Sequence, residues 1–258
     1  MSRSSAIEGD APDGKYLYGI IEAADDAQFE TPGIGTGAPV HTLRCGRLAA
    51  VVSDAPRIDY PNSRRNMLAH TRVIEEVMAR HTLLPVCFGT VASDAEAVVE
   101  KILRPRRDEL LERLGLMQDR VELGLKATWH EDVVFEEVLA ENPAIRKLRD
   151  SLVGRPAEKT HFDRVRLGEQ IGQALERKRL EDEQRILDRL RSFVHMTKLN
   201  KPIGDRMVLN AAFLVEAAQE RALDQAVRAM DADWSARLGF KYVGPVPPYN
   251  FVTITIHW

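Results

Sequence analysis

Gly244-Pro245-Val246-Pro247-Pro248-Tyr249-Asn250-Phe251-Val252 runs directly into Thr253-Ile254-Thr255-Ile256 at the end of a 258-residue chain. Each proline removes a backbone donor and fixes φ near about −65°, so the stretch fits neither a helix interior nor a central strand. It must be a shaped turn or a sheet edge. The aromatic and β-branched run from Phe251 to Ile256 reads as a buried or half-buried strand. A terminal strand needs partners made earlier, and the preceding chain is read as supplying them.

The apolar content of 44% can fill the core of one large domain or two modest ones. A net charge of −3, from 36 basic and 39 acidic residues, provides no global field to draw in nucleic acid or an anionic membrane. Cys45 and Cys87 lie in separate apolar runs without the short-spaced partner of a zinc site, and are read as reduced packing residues. No apolar run approaches the ~18 to 20 residues of a membrane span, and the first residues lack a basic-then-apolar signal pattern. The expected location is the cytoplasm.

Residues 1–14 are small and polar and are expected to form a disordered tail. A first domain is expected over 15–118. Tyr16–Glu22 is a strand, and Val40–Arg44 with Arg47–Ser53 forms a hairpin around Cys45-Gly46. The run Gly33-Ile34-Gly35-Thr36-Gly37 lacks the strand before it and the helix after it that a dinucleotide loop requires, and reads as a flexible connection. Asn62 or Ser63 caps a helix reaching about Arg80, with Met67, Val73, Ile74, Val77 and Met78 facing the core. Thr82–Val91 is an apolar strand that Pro85 pushes to an edge or bulge. Ser93, answered by Glu96, starts a helix that Pro105 divides before Gly115. Together these predict an α+β unit whose sheet is covered on one face.

A second domain is expected over 119–258. Val121–Trp129 alternates apolar and polar residues as a half-buried strand does. Helical patterns follow over 131–153, broken at Asn142-Pro143, and over a long helix from about 163 to 194. The dense, alternating charge of Glu176–Arg185 reads as a solvent-exposed helix face or a partner surface. Met207–Val215 is a central strand whose one polar residue, Asn210, is read as a hydrogen-bonded bridge to an edge or loop. A helix over 217–235, a strand at Phe240–Val243 and the terminal strand complete the unit. The predicted class is α+β: two α/β units, the second ferredoxin-like with an inserted long helix.

Few residues point to chemistry. His41, His70, His81, His130, His161, His195 and His257 are scattered, without an i, i+4 pair beside a carboxylate, and Ser53-Asp54 and Ser93-Asp94 are explained by turns and caps. Neither catalytic, cofactor-binding nor metal-ligating residues are assigned. An α+β enzyme with an unrecognised site and an RNA-binding ferredoxin-like module are the alternatives. The second needs exposed rings, for which Tyr16, Tyr18, Phe213, Tyr242, Tyr249 and Phe251 are the source.

Five stretches, in order, resemble one family: Tyr16–Ile20; Leu83–Thr90, with Pro85, Phe88 and Gly89; Val121–Lys126; Asn210–Val215; and Gly244–Val252, with Gly244, Pro245, Pro247, Pro248, Tyr249 and Phe251. Together they look like the gas vesicle accessory proteins of the F/L type. Where that family commonly carries tryptophan, serine and arginine, this chain has Val246, Asn250 and Cys87. The resemblance implies a two-domain, non-enzymatic protein without a cofactor that helps assemble the gas vesicle or becomes a minor part of it. Implied partners are the small hydrophobic shell protein and other accessory proteins, with no nucleic acid and no membrane. The named residues are expected to determine the fold or to meet a partner.

Overall fold

This computed structural model describes residues 14–56 and 59–254, so residues 1–13 of the expected tail and the last two residues of the expected terminal strand, Thr255 and Ile256, lie outside the described residues, whereas Gly14, assigned to that tail, is buried and opens the first strand. The chain divides into two compact units. The first comprises residues up to Val121 together with those from Val246 onward, and the second is the uninterrupted segment Glu122–Pro245. The sequence placed the boundary three residues earlier and the C-terminal stretch in the second domain.

In the first unit, β1 (Gly14–Glu22), β2 (Gln28–Phe29), β3 (Val40–Cys45) and β4 (Leu48–Ala55) precede α1 (Arg64–Met78). Next come β5 (Leu83–Pro85), β6 (Val91–Ala92), α2 (Ala95–Val98) and α3 (Arg107–Met117). The sheet order is β2-β3-β4-β1-β5, with β6 also on β1. The expected hairpin forms antiparallel with Cys45 opposite Leu48. β1 pairs with β4 from Gly14↔Ala55 to Glu22↔Leu48, with a register shift between Leu17 and Gly19. On its other side β1 takes β5 and β6. A Cβ at Gly19 would meet Leu83 Cδ1 at 2.5 Å and Leu84 O at 2.9 Å, so the approach of β5 requires glycine there.

This sheet is covered on both faces, not one. Leu48, Ala49, Ala50, Val51, Val52 and Ser53 are all fully buried, and successive strand residues point to opposite faces. Val73, Ile74 and Val77 of α1 pack with Tyr16, Tyr18, Ile21, Ala49 and Val51, whereas α3 approaches β1, β4 and β5 outside that cluster. Ser63 caps α1 by accepting from Asn66 N–H at 3.3 Å. At the next helix the cap is Asp94, whose Oδ1 accepts from Ala97 N–H at 2.7 Å. Ser93 instead donates to Asp94 at 2.8 Å, because a carboxylate one residue on is the stronger acceptor. α2 continues as a π-helical turn, Val99–Leu103, and stops before Pro105.

The second unit is built from β7 (Arg120–Trp129), α4 (Glu131–Glu141), α5 (Pro143–Leu152), α6 (His161–Leu190) and β8 (Met196–Leu199). β9 (Met207–Glu216), α7 (Glu220–Trp234) and β10 (Leu238–Val246) complete it. Its sheet order, β10-β7-β9-β8, is the fourth-first-third-second arrangement of a ferredoxin-like unit. α4 and α5 form the insertion: Val138, Leu139 and Ile145 pack on Ala174, with Leu167, Ile171 and Leu175 alongside. β8 was not anticipated, and it supplies the second strand. The fourth is β10 and not the expected 251–256 run. Phe251 and Val252 instead donate to Pro248 O in a turn, and Ile254 makes an isolated parallel bridge to Val86 of the first unit.

Candidate functional site

Most of the family-matching residues meet at one place in the first unit. Tyr16 and Tyr18 of β1, two residues apart and so on one face of the strand, point into the α1-facing core, and the register shift between Leu17 and Gly19 brings Ile21 to the same face. Their centroids are 4.9 Å apart. His70, on the buried face of α1, stacks on Tyr18 at 5.6 Å and meets the edge of Phe88 at 5.6 Å. Gly89 N–H donates to the Tyr16 hydroxyl at 3.0 Å. That leaves the Tyr16 proton for Nδ1 of His70, 3.0 Å away. Nε2 then carries the ring proton and donates to the Tyr249 hydroxyl at 2.9 Å. Tyr18 accepts from Ile34 N–H at 2.8 Å and shares a hydrogen bond with Ser53 Oγ at 3.0 Å.

The C-terminal stretch is held here by backbone as well. Ile254 N–H donates to Pro85 O at 3.1 Å, and Cys87 N–H donates to Ile254 O at 3.3 Å. Pro247 and Pro248 are buried, and Phe251 is half-buried. Burial pushes His70 down to about 4 and the Tyr16 and Tyr249 hydroxyls well above the usual phenol range. The imidazole is therefore neutral near pH 7 and the phenols stay protonated. The chain from Gly89 to Tyr249 is a set of neutral hydrogen bonds with no carboxylate or nucleophile in it, which suits fastening better than proton transfer.

The other named residues lie in the second unit. Asn210 of β9 donates from Nδ2 to Lys201 O at 3.1 Å, the bridging role expected of it. Gly244 and Pro245 stand in the edge strand β10, joined by a cis peptide bond. Gly244 has φ +140°, and a Cβ there would meet Leu123 Cδ2 at 2.6 Å.

A second constellation escaped the sequence reading. Ala174, Lys178, Asp182, Ile186 and Leu190 form one buried row of α6, so two of the charges read as solvated are inside. Trp129 Nε1 donates to Asp182 Oδ2 at 2.8 Å, and Arg237 donates to the same oxygen and to Glu137, both at 2.7 Å. Lys178 bonds Glu141 at 2.7 Å and approaches Glu137 at 3.0 Å. The strict four-residue spacing was the available signal, since residues four apart share a helix face.

Glu137, Glu141, Lys178, Asp182 and Arg237 line a cleft of about 450 Å³ together with Arg185 and Trp234. Burial works against the Glu137 carboxylate, but hydrogen bonds from Arg237 and Lys178 outweigh it and hold its pKa below the usual range. Burial likewise works against the Lys178 ammonium, and Glu141 and Glu137 outweigh it and raise its pKa. Both stay charged and paired near neutral pH, which leaves neither as a general base or nucleophile. A second cleft, of about 800 Å³ in the first unit, mixes Arg47, Arg80 and His81 with Glu22, Glu112 and Asp119. Among the described residues no three His, Cys, Asp or Glu side chains could hold a metal ion. Nor is any helix among them long and apolar enough to cross a membrane. Tyr16, Tyr18 and Phe213, which an RNA-binding sheet would display, are at most 1% exposed.

Known proteins match this architecture along nearly its whole length. Gas vesicle protein F of a Streptomyces species is 35% identical over 243 residues, covering 92% of this chain and 98% of its own. Gas vesicle protein F of Microcystis aeruginosa is 28% identical over 243 residues, covering 93% and 98%. The crystal structure of the gas vesicle protein GvpF from Anabaena sp. PCC7120 superposes with a TM-score of 0.83 at 26% identity, covering 95% of this chain and 100% of that one. Residues 14–253 match the sequence pattern described as gas vesicle synthesis protein GvpL/GvpF, and the chain belongs to that family.

Proposed function

We propose that this chain is a non-enzymatic accessory protein of gas vesicle assembly, binding the small hydrophobic shell protein and other accessory proteins of the same gene set. The observation that carries this reading is the extent of the likeness, which takes in both units and so does not borrow a role from a shared fragment. The paired charges of the α6 cleft and the neutral chain around His70 support a role without catalysis. An accessory protein of this kind acts by covering apolar surface on a subunit before that surface finds another copy and aggregates. The setting is the cytoplasm and the growing vesicle.

The test is affinity capture of the tagged protein from cells making the vesicle gene set, with a deletion strain examined alongside. At moderate salt the shell protein is expected in the captured fraction, and the deletion strain is expected to lack normal vesicles. Recovery of no shell protein, together with normal vesicles in the deletion strain, would refute the role.

A further inference from the structure

The sheet of the second unit ends on one side at β8, and all four β8 residues are exposed, Met196 and Leu199 by about half. The direction of its backbone groups follows from the ladder. Asn200 N–H donates to Asn210 O at 2.7 Å, in the same register that sets Met196 opposite Leu214. Bonded residues alternate along an antiparallel pair, so Met196 and Lys198 turn their amide groups toward β9. Thr197 and Leu199 turn theirs to the free edge. The edge therefore offers two outward N–H and C=O sets, flanked by apolar side chains.

Its charge is one-sided. From Arg189 to Gly204 the chain carries Arg189, Arg191, Lys198 and Lys201 and no carboxylate. Arg189 and Arg191 are held by Asp233 and Asp188. Lys198 and Lys201 form no ion pair among the described residues. A second copy of this chain is a poor occupant. The register that uses both outward sets pairs Thr197 with Leu199 of the other copy and puts Lys198 directly opposite itself, and like charges so placed are destabilising.

We propose that β8 is a docking edge for one kind of occupant, an extended segment of another protein in which apolar residues alternate with carboxylates. Backbone bonds to Thr197 and Leu199 add it as a further strand, and its carboxylates meet Lys198 and Lys201. This does not depend on the identity of the shell protein, so its test is separate from that of the assembly role.

The probe is a blocked synthetic peptide of about eight residues, the length of an ordinary strand, alternating valine and glutamate. A valine–lysine peptide is the control, and both are added to the full chain while backbone amide exchange is followed by NMR. The glutamate peptide is expected to slow exchange at Thr197 and Leu199 by about tenfold, and the lysine peptide to leave it unchanged. Thr197→Pro deletes an outward N–H without touching the β8–β9 bonds and is expected to abolish the response at Leu199. Lys198→Glu, which leaves the backbone alone, is expected to weaken peptide binding by about tenfold. Four results would each overturn the proposal: no protection at either amide, equal protection by both peptides, undiminished binding by a folded Thr197→Pro or by Lys198→Glu, or protection that grows with protein concentration alone, which would make a second copy the occupant.

Discussion

Replacing His70 by glutamine removes a titrating group from the core of the first unit and keeps an amide that can both donate and accept. The ring is 1% exposed, and burial lowers its pKa from 6.5 to about 4. Tyr16, Tyr18 and Tyr249 are the titratable groups facing it, and none is charged at neutral pH. The folded protein thus binds this proton more weakly than the unfolded chain does. The stability contributed by neutral His70 is full above about pH 6.5, falls as the unfolded chain protonates, and levels off below about 4. At 1.36 kcal/mol per pH unit the whole interval amounts to about 3 kcal/mol. His81, whose pKa burial and Arg80 also lower, titrates in wild type and variant alike and cancels in their difference. The assay is amide exchange of β1 and β4 followed by mass spectrometry, because Trp129 and Trp234 report on the second unit and two units need not unfold together. Wild type is expected to be the more stable at pH 7, with its advantage over His70→Gln shrinking by about 3 kcal/mol on going to pH 4. An advantage that stays constant across that window would refute the argument that a buried neutral imidazole holds this core.

Gly244→Ala combines a φ of +140° with a Cβ 2.6 Å from Leu123 Cδ2 and 3.1 Å from Glu122 O. It is expected to cost the second unit about 2–4 kcal/mol, read from urea unfolding followed by tryptophan fluorescence. Asp182→Ala strands Trp129 Nε1 and Arg237 without their shared acceptor and is expected to cost about 3–5 kcal/mol in the same assay. Arg228→Ala, which breaks the surface pair with Asp224, is expected to stay within about 1 kcal/mol of wild type, and an equal loss in the two variants would count against the buried network.

Most of the regular elements are legible wherever burial imposes a period. The alternation of Val121–Trp129, the apolar run Met207–Val215 and the Cys45-Gly46 hairpin all stand within a few residues of their expected places. What the sequence hides has a common cause, which is dependence on partners far along the chain. β8 is short, fully exposed and defined only by its ladder to β9, so no pattern of its own announces it. Lys178 and Asp182 sit in a run of alternating charge, and their burial depends on Glu137, Trp129 and Arg237 arriving from three other elements. His70 is one of seven scattered histidines in the sequence, and the neighbours that give it a role lie 54 and 179 residues away at Tyr16 and Tyr249. The C-terminal stretch follows the second unit in sequence, and only the free edge beside Pro85 explains why it belongs to the first.

The way the two units share the chain carries a consequence for synthesis. Glu122–Pro245 is continuous, and its first and last strands, β7 and β10, are neighbours in one sheet. Everything this unit needs has emerged from the ribosome once Pro245 has. The first unit begins earlier but is finished later, because Tyr249 and Ile254, which close onto His70 and Pro85, are translated after Pro245. The usual order, in which the N-terminal domain matures first, is reversed. A nascent chain halted just after Pro245 would hold a completed second unit beside a first unit still open at its β5 edge.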